Sequence, residues 1–129
     1  MQIMLTSLMV TDQEAALRFY TTVLGFVKKH DIAMGEFRWL TVTSPDGVAG
    51  VELVLEPMAF APARTFQRAL FDAGMPATAF MSADIDAEFA RLKQRGVVFR
   101  GEPRAAGPVR TVLFEDGCGN LINLVQPAG

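Results

Sequence analysis

The chain has 129 residues, of which 50% are hydrophobic and 20% charged, and its formal net charge is −2 at pH 7. These values are typical of a globular domain and argue against disorder. Basic residues do not cluster beyond the pair Lys28 and Lys29, and no apolar run reaches the roughly 20 residues that cross a bilayer. Neither a nucleic acid nor a membrane is therefore an expected partner. The single cysteine, Cys118, and an apolar start without the basic region of a signal peptide predict a cytoplasmic protein.

The first half of the chain predicts a strand, a helix and three further strands. Residues 3–10 have the character of a strand, and Thr11 to Glu14 match a capping box that starts a helix. Apolar residues then recur at helical spacing until Gly25 ends the helix. The three further strands are predicted at 26–30, 37–43 and 51–56.

The second half repeats this order after a connecting helix at about 63–74. The apolar face of the connecting helix is predicted to consist of Phe66, Ala69, Leu70 and Ala73. Asp84 caps the next helix as Asp12 caps the first, and Gly96 ends it. The strands of this half are predicted at 78–83, 97–100, 110–115 and 121–126.

The internal repeat predicts an α+β fold of paired βαβββ modules. These modules are expected to form a curved mixed sheet around a concave cavity, with the helices on the outer face. Residues 1–129 are expected to form a single domain, with module one at about 1–57 and module two at about 75–127.

Two segments resemble the glyoxalase/bleomycin resistance protein/dioxygenase superfamily, also called the vicinal oxygen chelate superfamily. They are DQEAALRFYTTVLGF at 12–26 and FEDGCGNL at 114–121. The resemblance implies the paired-module fold and, in many members, a homodimer. It does not imply one activity, because the superfamily contains several chemistries and some binding proteins.

In metal-using members, each module supplies one ligand from its first strand and one from its last. The positions that correspond here are Leu5 and Glu52 in module one, and Ala77 and Asn123 in module two. Only Glu52 is a strong ligand, whereas a divalent ion needs about three or four. No metal site of the family type and no other cofactor is therefore expected, although a divalent metal at a different site stays open.

Strand alternation places Glu52, Val54 and Glu56 on one face and Val51, Leu53 and Leu55 on the other. Because the apolar set must face the helix, Glu52 and Glu56 are predicted to face the cavity as binding or catalytic carboxylates. The alternative for Glu56 is an exposed strand end.

The same alternation predicts a mostly apolar ligand site with a few polar groups, a common composition for binding pockets. Its ligand-binding candidates are Leu5, Ser7, Met9, Trp39, Thr41, Ala77, Met81 and Asn123. The alternatives are core packing or a dimer contact, especially for the two methionines and for Trp39.

His30, the only histidine, follows two lysines, and this setting favours a solvent-facing strand end. With Glu52 or Glu56 it forms the best alternative metal or acid/base set. Arg104 and Arg110 are favoured as surface charges over an anion clamp.

Three functions stay open on this basis. The first is a metal-independent protein that binds an organic molecule in the cavity. The second is an enzyme of the lyase, isomerase or dioxygenase kind with a degenerate or relocated site. The third is a module that binds a partner protein or peptide.

Overall fold

The computed structural model describes residues 1–127 and divides into two compact units, 1–65 and 66 onward. Each unit contains one βαβββ module with an open four-stranded sheet. The predicted α+β class with paired modules is therefore confirmed. The predicted single-domain boundary at residue 129 lies outside the described residues.

Unit one begins with the predicted strand and capped helix. Its elements are β1 at Leu5–Met9, α1 at Gln13–Arg18, β2 at Val27–Met34, β3 at Phe37–Thr43 and β4 at Glu52–Glu56. The sheet order is β1-β4-β3-β2, and β1 runs parallel to β4. Asp12 caps α1, since its side chain accepts a hydrogen bond from the amide of Ala15 at 3.0 Å. The helix continues as a π-helical turn at Phe19–Val23 and ends before Gly25, whose φ is 86°.

The core of unit one lies between α1 and one face of its sheet. The apolar side chains buried there are Leu8, Val10, Ala16, Tyr20, Leu40, Val42, Leu53 and Leu55. Leu53 and Leu55 alternate with Glu52, Val54 and Glu56 along β4, so the carboxylates lie on the opposite face of the sheet.

Gln13 links the start of β3 to the end of β4 through its side-chain amide. Its nitrogen donates to the carbonyls of Arg38 at 2.8 Å and Leu55 at 2.9 Å, and its oxygen accepts from the amide of Arg38 at 3.0 Å. Direct pairing of these strands is confined to Thr41 with Val54 and Val42 with Leu53. The amide thus satisfies backbone groups that the ladder leaves open.

We expect Gln13→Ala to lower the free energy of unfolding by about 1–3 kcal/mol, because it leaves part-buried backbone groups without partners. Urea denaturation followed by circular dichroism measures this loss. Gln94→Ala, at the exposed end of a helix of unit two, is the matched control and should change stability by less than about 0.5 kcal/mol. Equal effects of the two substitutions would contradict the bridging role.

Unit two repeats the arrangement of unit one. The connecting helix α2 occupies Ala61–Asp72, and β5 at Thr78–Met81, α3 at Ile85–Gln94, β6 at Arg104–Ala106, β7 at Val109–Glu115 and β8 at Leu121–Pro127 follow it. The sheet order is β5-β8-β7-β6, with β5 parallel to β8. Asp84 caps α3 by accepting from the amide of Ala87 at 3.1 Å.

The predicted strand at 97–100 is reduced to a single antiparallel bridge. Only one bridge forms in this segment, between Phe99 and Phe114, and the edge strand of the sheet is β6 further along the chain. Gly101 follows with a φ of 105°, a conformation that bends the chain away from an extended path. The Phe99 ring packs against Phe89 and Phe114, and Val97 is buried, whereas Val98 is exposed. Val97 and Phe99 therefore serve core packing, and the backbone of the segment makes two hydrogen bonds to β7.

The predicted apolar face of α2 is wrong. Phe66 is 65% exposed, whereas Gln67 is the buried residue of the helix. The Gln67 amide donates to the carbonyl of Cys118 and to the side-chain oxygen of Asn120, each at 3.2 Å. A polar side chain can occupy a buried position when its hydrogen bonds are made, and apolar periodicity does not reveal such a position.

The turn that Gln67 contacts is organised by a buried carboxylate. Asp116 accepts from the amide of Cys118 at 2.7 Å, from the amide of Asn120 at 3.0 Å and from the Asn120 side chain at 2.9 Å. Gly119 has a φ of 94°, and a Cβ there would lie 2.6 Å from the side-chain oxygen of Gln67. The turn therefore requires glycine at this position for both conformation and space.

Gly119→Ala is expected to destabilise the protein by about 1–3 kcal/mol more than Gly107→Ala, because the added methyl group displaces a hydrogen-bonded amide. Gly107 has a φ of 61° and open space around its missing Cβ, so it controls for the conformational cost alone. Thermal unfolding of both variants measures the difference. Equal losses of stability in the two variants would contradict the space requirement, because they would show that the Gln67 side chain can move aside without destabilising the protein.

Candidate functional site

Strand pairing in unit one places most of the predicted site residues on one face of the sheet. Leu5 pairs with Glu52 and Met9 pairs with Glu56 across β1 and β4, and paired residues share a face. We name this surface the carboxylate face. Its members are Leu5, Ser7, Met9, His30, Ile32, Trp39, Thr41, Glu52, Val54 and Glu56.

A chain of hydrogen bonds fixes Glu52 on this face. The hydroxyl of Thr41, which is fully buried, donates to Oε1 of Glu52 at 2.7 Å. The amide of His30 in turn donates to the Thr41 hydroxyl at 3.1 Å. The imidazole Nε2 of His30 lies 3.6 Å from the same Glu52 oxygen. Side chains from β2, β3 and β4, namely His30, Thr41 and Glu52, therefore lie together on the carboxylate face.

A β-bulge in β2 brings His30 to this face. Lys28 pairs with Val42 and His30 pairs with Thr41, so Lys29 is an extra residue without a partner in the register. Regular alternation from Val27 would have placed Lys29, rather than His30, on the carboxylate face. The His30 side chain is 42% accessible and contacts Glu52 rather than Glu56.

Extension of β2 past His30 adds apolar surface that the sequence reasoning missed. The strand was predicted to end at His30 but continues to Met34. Ile32 pairs with Trp39 and is 54% exposed, and Leu5 is 48% exposed. Asp31 interrupted the apolar pattern on which the prediction rested, so the strand signal was lost there.

Glu56 is held less firmly than Glu52. Its Oε1 accepts from the hydroxyl of Ser7 at a long 3.4 Å. Within residues 1–127, no Lys or Arg nitrogen lies within 4.0 Å of the carboxylate of Glu52 or Glu56. The carboxylate face therefore carries two acidic groups without a Lys or Arg counterion in that range.

Unit two contains a neutral counterpart of the Thr41–Glu52 pair. The Thr111 hydroxyl hydrogen-bonds the side-chain oxygen of Asn123. Asn123 pairs with Ala79, so these side chains share a face with Met81, which is 67% exposed. Ala77 lies just before β5, exposed, with its amide bound to the carbonyl of Leu121.

Arg38 forms a separate ionic cluster, since it and Asp31 alternate with Trp39 and His30 to the other face of the sheet. Arg38 donates to both carboxylate oxygens of Asp31, at 2.9 and 2.7 Å, and to Glu14 at 2.6 Å. These bonds hold the pKa of Asp31 below its ordinary value and raise the pKa of Arg38. Arg38 is thus committed to structure and does not neutralise the carboxylate face.

Arg110 is also paired. It donates two hydrogen bonds to Asp86, at 2.6 and 3.0 Å, which lower the pKa of Asp86 and raise the pKa of Arg110. The side chain of Arg110 is therefore engaged in an ion pair with α3.

The side chains of Leu5 and Ala77 offer no donor atom, and among residues 1–127 no three His, Cys, Asp or Glu side chains come together as a metal site would require. The His30–Glu52 pair supplies two groups, where three or four are usual in a metal site.

Comparison with known proteins decides the family. A family model described as the Glyoxalase/Bleomycin resistance protein/Dioxygenase superfamily matches residues 2–124. The chain belongs to this superfamily. Among its relatives is the uncharacterized protein YurT of Bacillus subtilis (strain 168), 51% identical over 126 residues, which are 98% of this chain and 99% of YurT.

Two solved structures of the superfamily fold are close to this chain. UcmS2 is 29% identical with a TM-score of 0.82, over 97% of each chain. TnmS3, an antibiotic binding protein from Streptomyces sp. CB03234, is 32% identical with a TM-score of 0.77, over 99% of this chain and 97% of that protein. Among the described residues, none of the helices has the length and apolarity to span a membrane.

Thr41→Val should lower the free energy of unfolding by about 1–3 kcal/mol, because it removes the donor to Glu52 and the acceptor of the His30 amide in a buried setting. Thr43→Val is the matched control, since the Thr43 hydroxyl makes one exposed hydrogen bond of 3.4 Å. Urea denaturation of both variants gives the comparison. A Thr41 variant as stable as the Thr43 variant would contradict the role of this hydroxyl.

Proposed function

We propose that the protein binds a small organic molecule on the carboxylate face of unit one. The observation that carries the proposal is the composition of this face, where exposed Leu5 pairs with the hydrogen-bonded Glu52 and exposed Ile32 pairs with Trp39. Apolar surface supplies affinity in small-molecule sites, and sparse polar groups orient the ligand. The antibiotic binding activity of TnmS3 supports a binding role for a chain of this family.

In this proposal Leu5, Met9 and Trp39 contact the body of the ligand, while Glu52 and Glu56 bind its polar groups. Ser7 and Thr41 act by holding the two carboxylates. The side chains of unit two that sequence alternation selected, Ala77, Met81 and Asn123, remain ligand-binding candidates of their own sheet.

Binding is proposed to need no metal, because the chain lacks donors at the family positions Leu5 and Ala77. A homodimer in the cytoplasm is the proposed state of the protein, as expected from the family and from the composition of the chain. Elemental analysis of the purified protein and its mass in solution test these two points directly.

Nile red, a neutral dye that emits in apolar sites, is the probe for the binding surface. Because Trp39 is the only tryptophan, energy transfer from its indole to the dye reports binding at this face. We expect saturable transfer that antibiotics of suitable shape displace and that the chelator EDTA leaves unchanged.

Leu5→Arg should weaken Nile red binding by about tenfold or more, because it buries a charge against the apolar part of the ligand. Ile3→Arg is the control, since Ile3 is 91% exposed and precedes β1. Equal affinity of the two variants, or binding that is lost with EDTA, would contradict the proposal.

A further inference from the structure

We propose that His30 and Glu52 together bind a protonated primary or secondary amine of the ligand, so that the ligand is an organic cation with an apolar body. This inference rests on the proposed binding function and adds the chemical class of the ligand. It also assigns a binding role to His30, whose position depends on the bulge at Lys29.

The spacing of the two side chains leaves room for a shared donor. Nε2 of His30 and Oε1 of Glu52 are 3.6 Å apart, which is longer than a hydrogen bond. A neutral imidazole nitrogen accepts a hydrogen bond when it carries no proton, and a carboxylate oxygen always does. An ammonium group has two or three donors and no acceptor, so one such group satisfies both atoms at once.

The charge of the site favours the same ligand. The Glu52 side chain is only 16% accessible, and no Lys or Arg nitrogen among residues 1–127 lies within 4.0 Å of it. A partly buried carboxylate is stabilised by a positive partner, because burial removes part of its hydration. Glu56, about 7 Å further along β4, adds negative potential to the same face.

The neighbouring side chains fit the remainder of such a molecule. Trp39 lies two residues from Thr41 on the same face, and tryptophan is the aromatic residue that binds cations best. Ile32 pairs with Trp39 and presents apolar surface beside it, whereas Leu5 pairs with Glu52 and presents apolar surface there. The carboxylate face therefore matches an amine attached to an aromatic or aliphatic body better than it matches an anion or a sugar.

The charged groups that share the face with His30 are Glu52 and Glu56, both from β4, and Lys29 adjoins it on β2. The side chains of β1 and β3 on this face, Leu5, Ser7, Met9, Trp39 and Thr41, carry no charge.

Tryptamine and tryptophol are the probes, because they share an indole body and differ in an ammonium or a hydroxyl group. Isothermal titration calorimetry at about pH 7.5 should give an affinity for tryptamine about tenfold or more above that for tryptophol. Glu52→Gln should bring the two affinities within about twofold, while the control Glu36→Gln, in the β2–β3 turn away from this face, keeps the difference.

At the same pH, His30→Ala should weaken tryptamine binding severalfold, because it removes the imidazole acceptor, and should leave tryptophol binding within about twofold. His30→Gln should keep most of the tryptamine affinity, because glutamine also offers an acceptor. Circular dichroism confirms the fold of each variant.

The outcomes separate this inference from the binding function. Equal affinities for the two probes, or weak binding of both, would overturn the amine assignment; the binding function would stand as long as Nile red binding remained sensitive to Leu5→Arg. Loss of that sensitivity as well would remove both proposals. An unchanged tryptamine affinity in His30→Ala would overturn the role of His30 alone.

Discussion

The alternation of side chains along β4 determines the character of unit one. Leu53 and Leu55 are buried against the helix side, and burying two leucines contributes several kcal/mol. A slip of one residue would expose both leucines and bury two carboxylates without counterions, at a still larger cost. The core therefore fixes Glu52 and Glu56 on the opposite face, and the proposed ligand site is a consequence of packing on the other side of the same strand.

The two units show how one arrangement can carry different chemistry. Thr41 binds Glu52 in unit one, and Thr111 binds Asn123 at the corresponding place in unit two. The hydrogen bond recurs in both halves of the chain, whereas the carboxylate charge is present only in unit one. An amide orients a ligand as well as a carboxylate does, but only the carboxylate attracts a cation, so the halves contribute unequal electrostatics.

Much of the fold follows from local signals in the sequence. The aspartate caps of α1 and α3 and the strand at Phe37–Thr43 were predictable, because capping and β-branched or aromatic runs act locally. The segment 97–100 and the face of α2 were not, because long-range contacts decided them. Phe99 fills a core, and buried Gln67 binds a distant turn, and neither partner is visible in a short stretch of sequence.

The residues of the candidate site were likewise predictable only in part. Glu52 could be placed by alternation, since one face of its strand is plainly apolar. His30 could not, because a bulge changes the alternation by one residue and no residue type near Lys29 requires it. The extra residue also lets the adjacent Asp31 reach Arg38 on the opposite face while His30 reaches Glu52.

The bulge gives deletions on its two sides different structural consequences. Removing one residue between Val27 and His30 would convert the bulge into regular strand while leaving every later pairing with β3 intact. A deletion beyond His30 would instead move each remaining side chain of β2 to the opposite face of the sheet. In an alignment of related sequences, a gap in the first stretch would therefore preserve the proposed binding surface, whereas a gap in the second would change it.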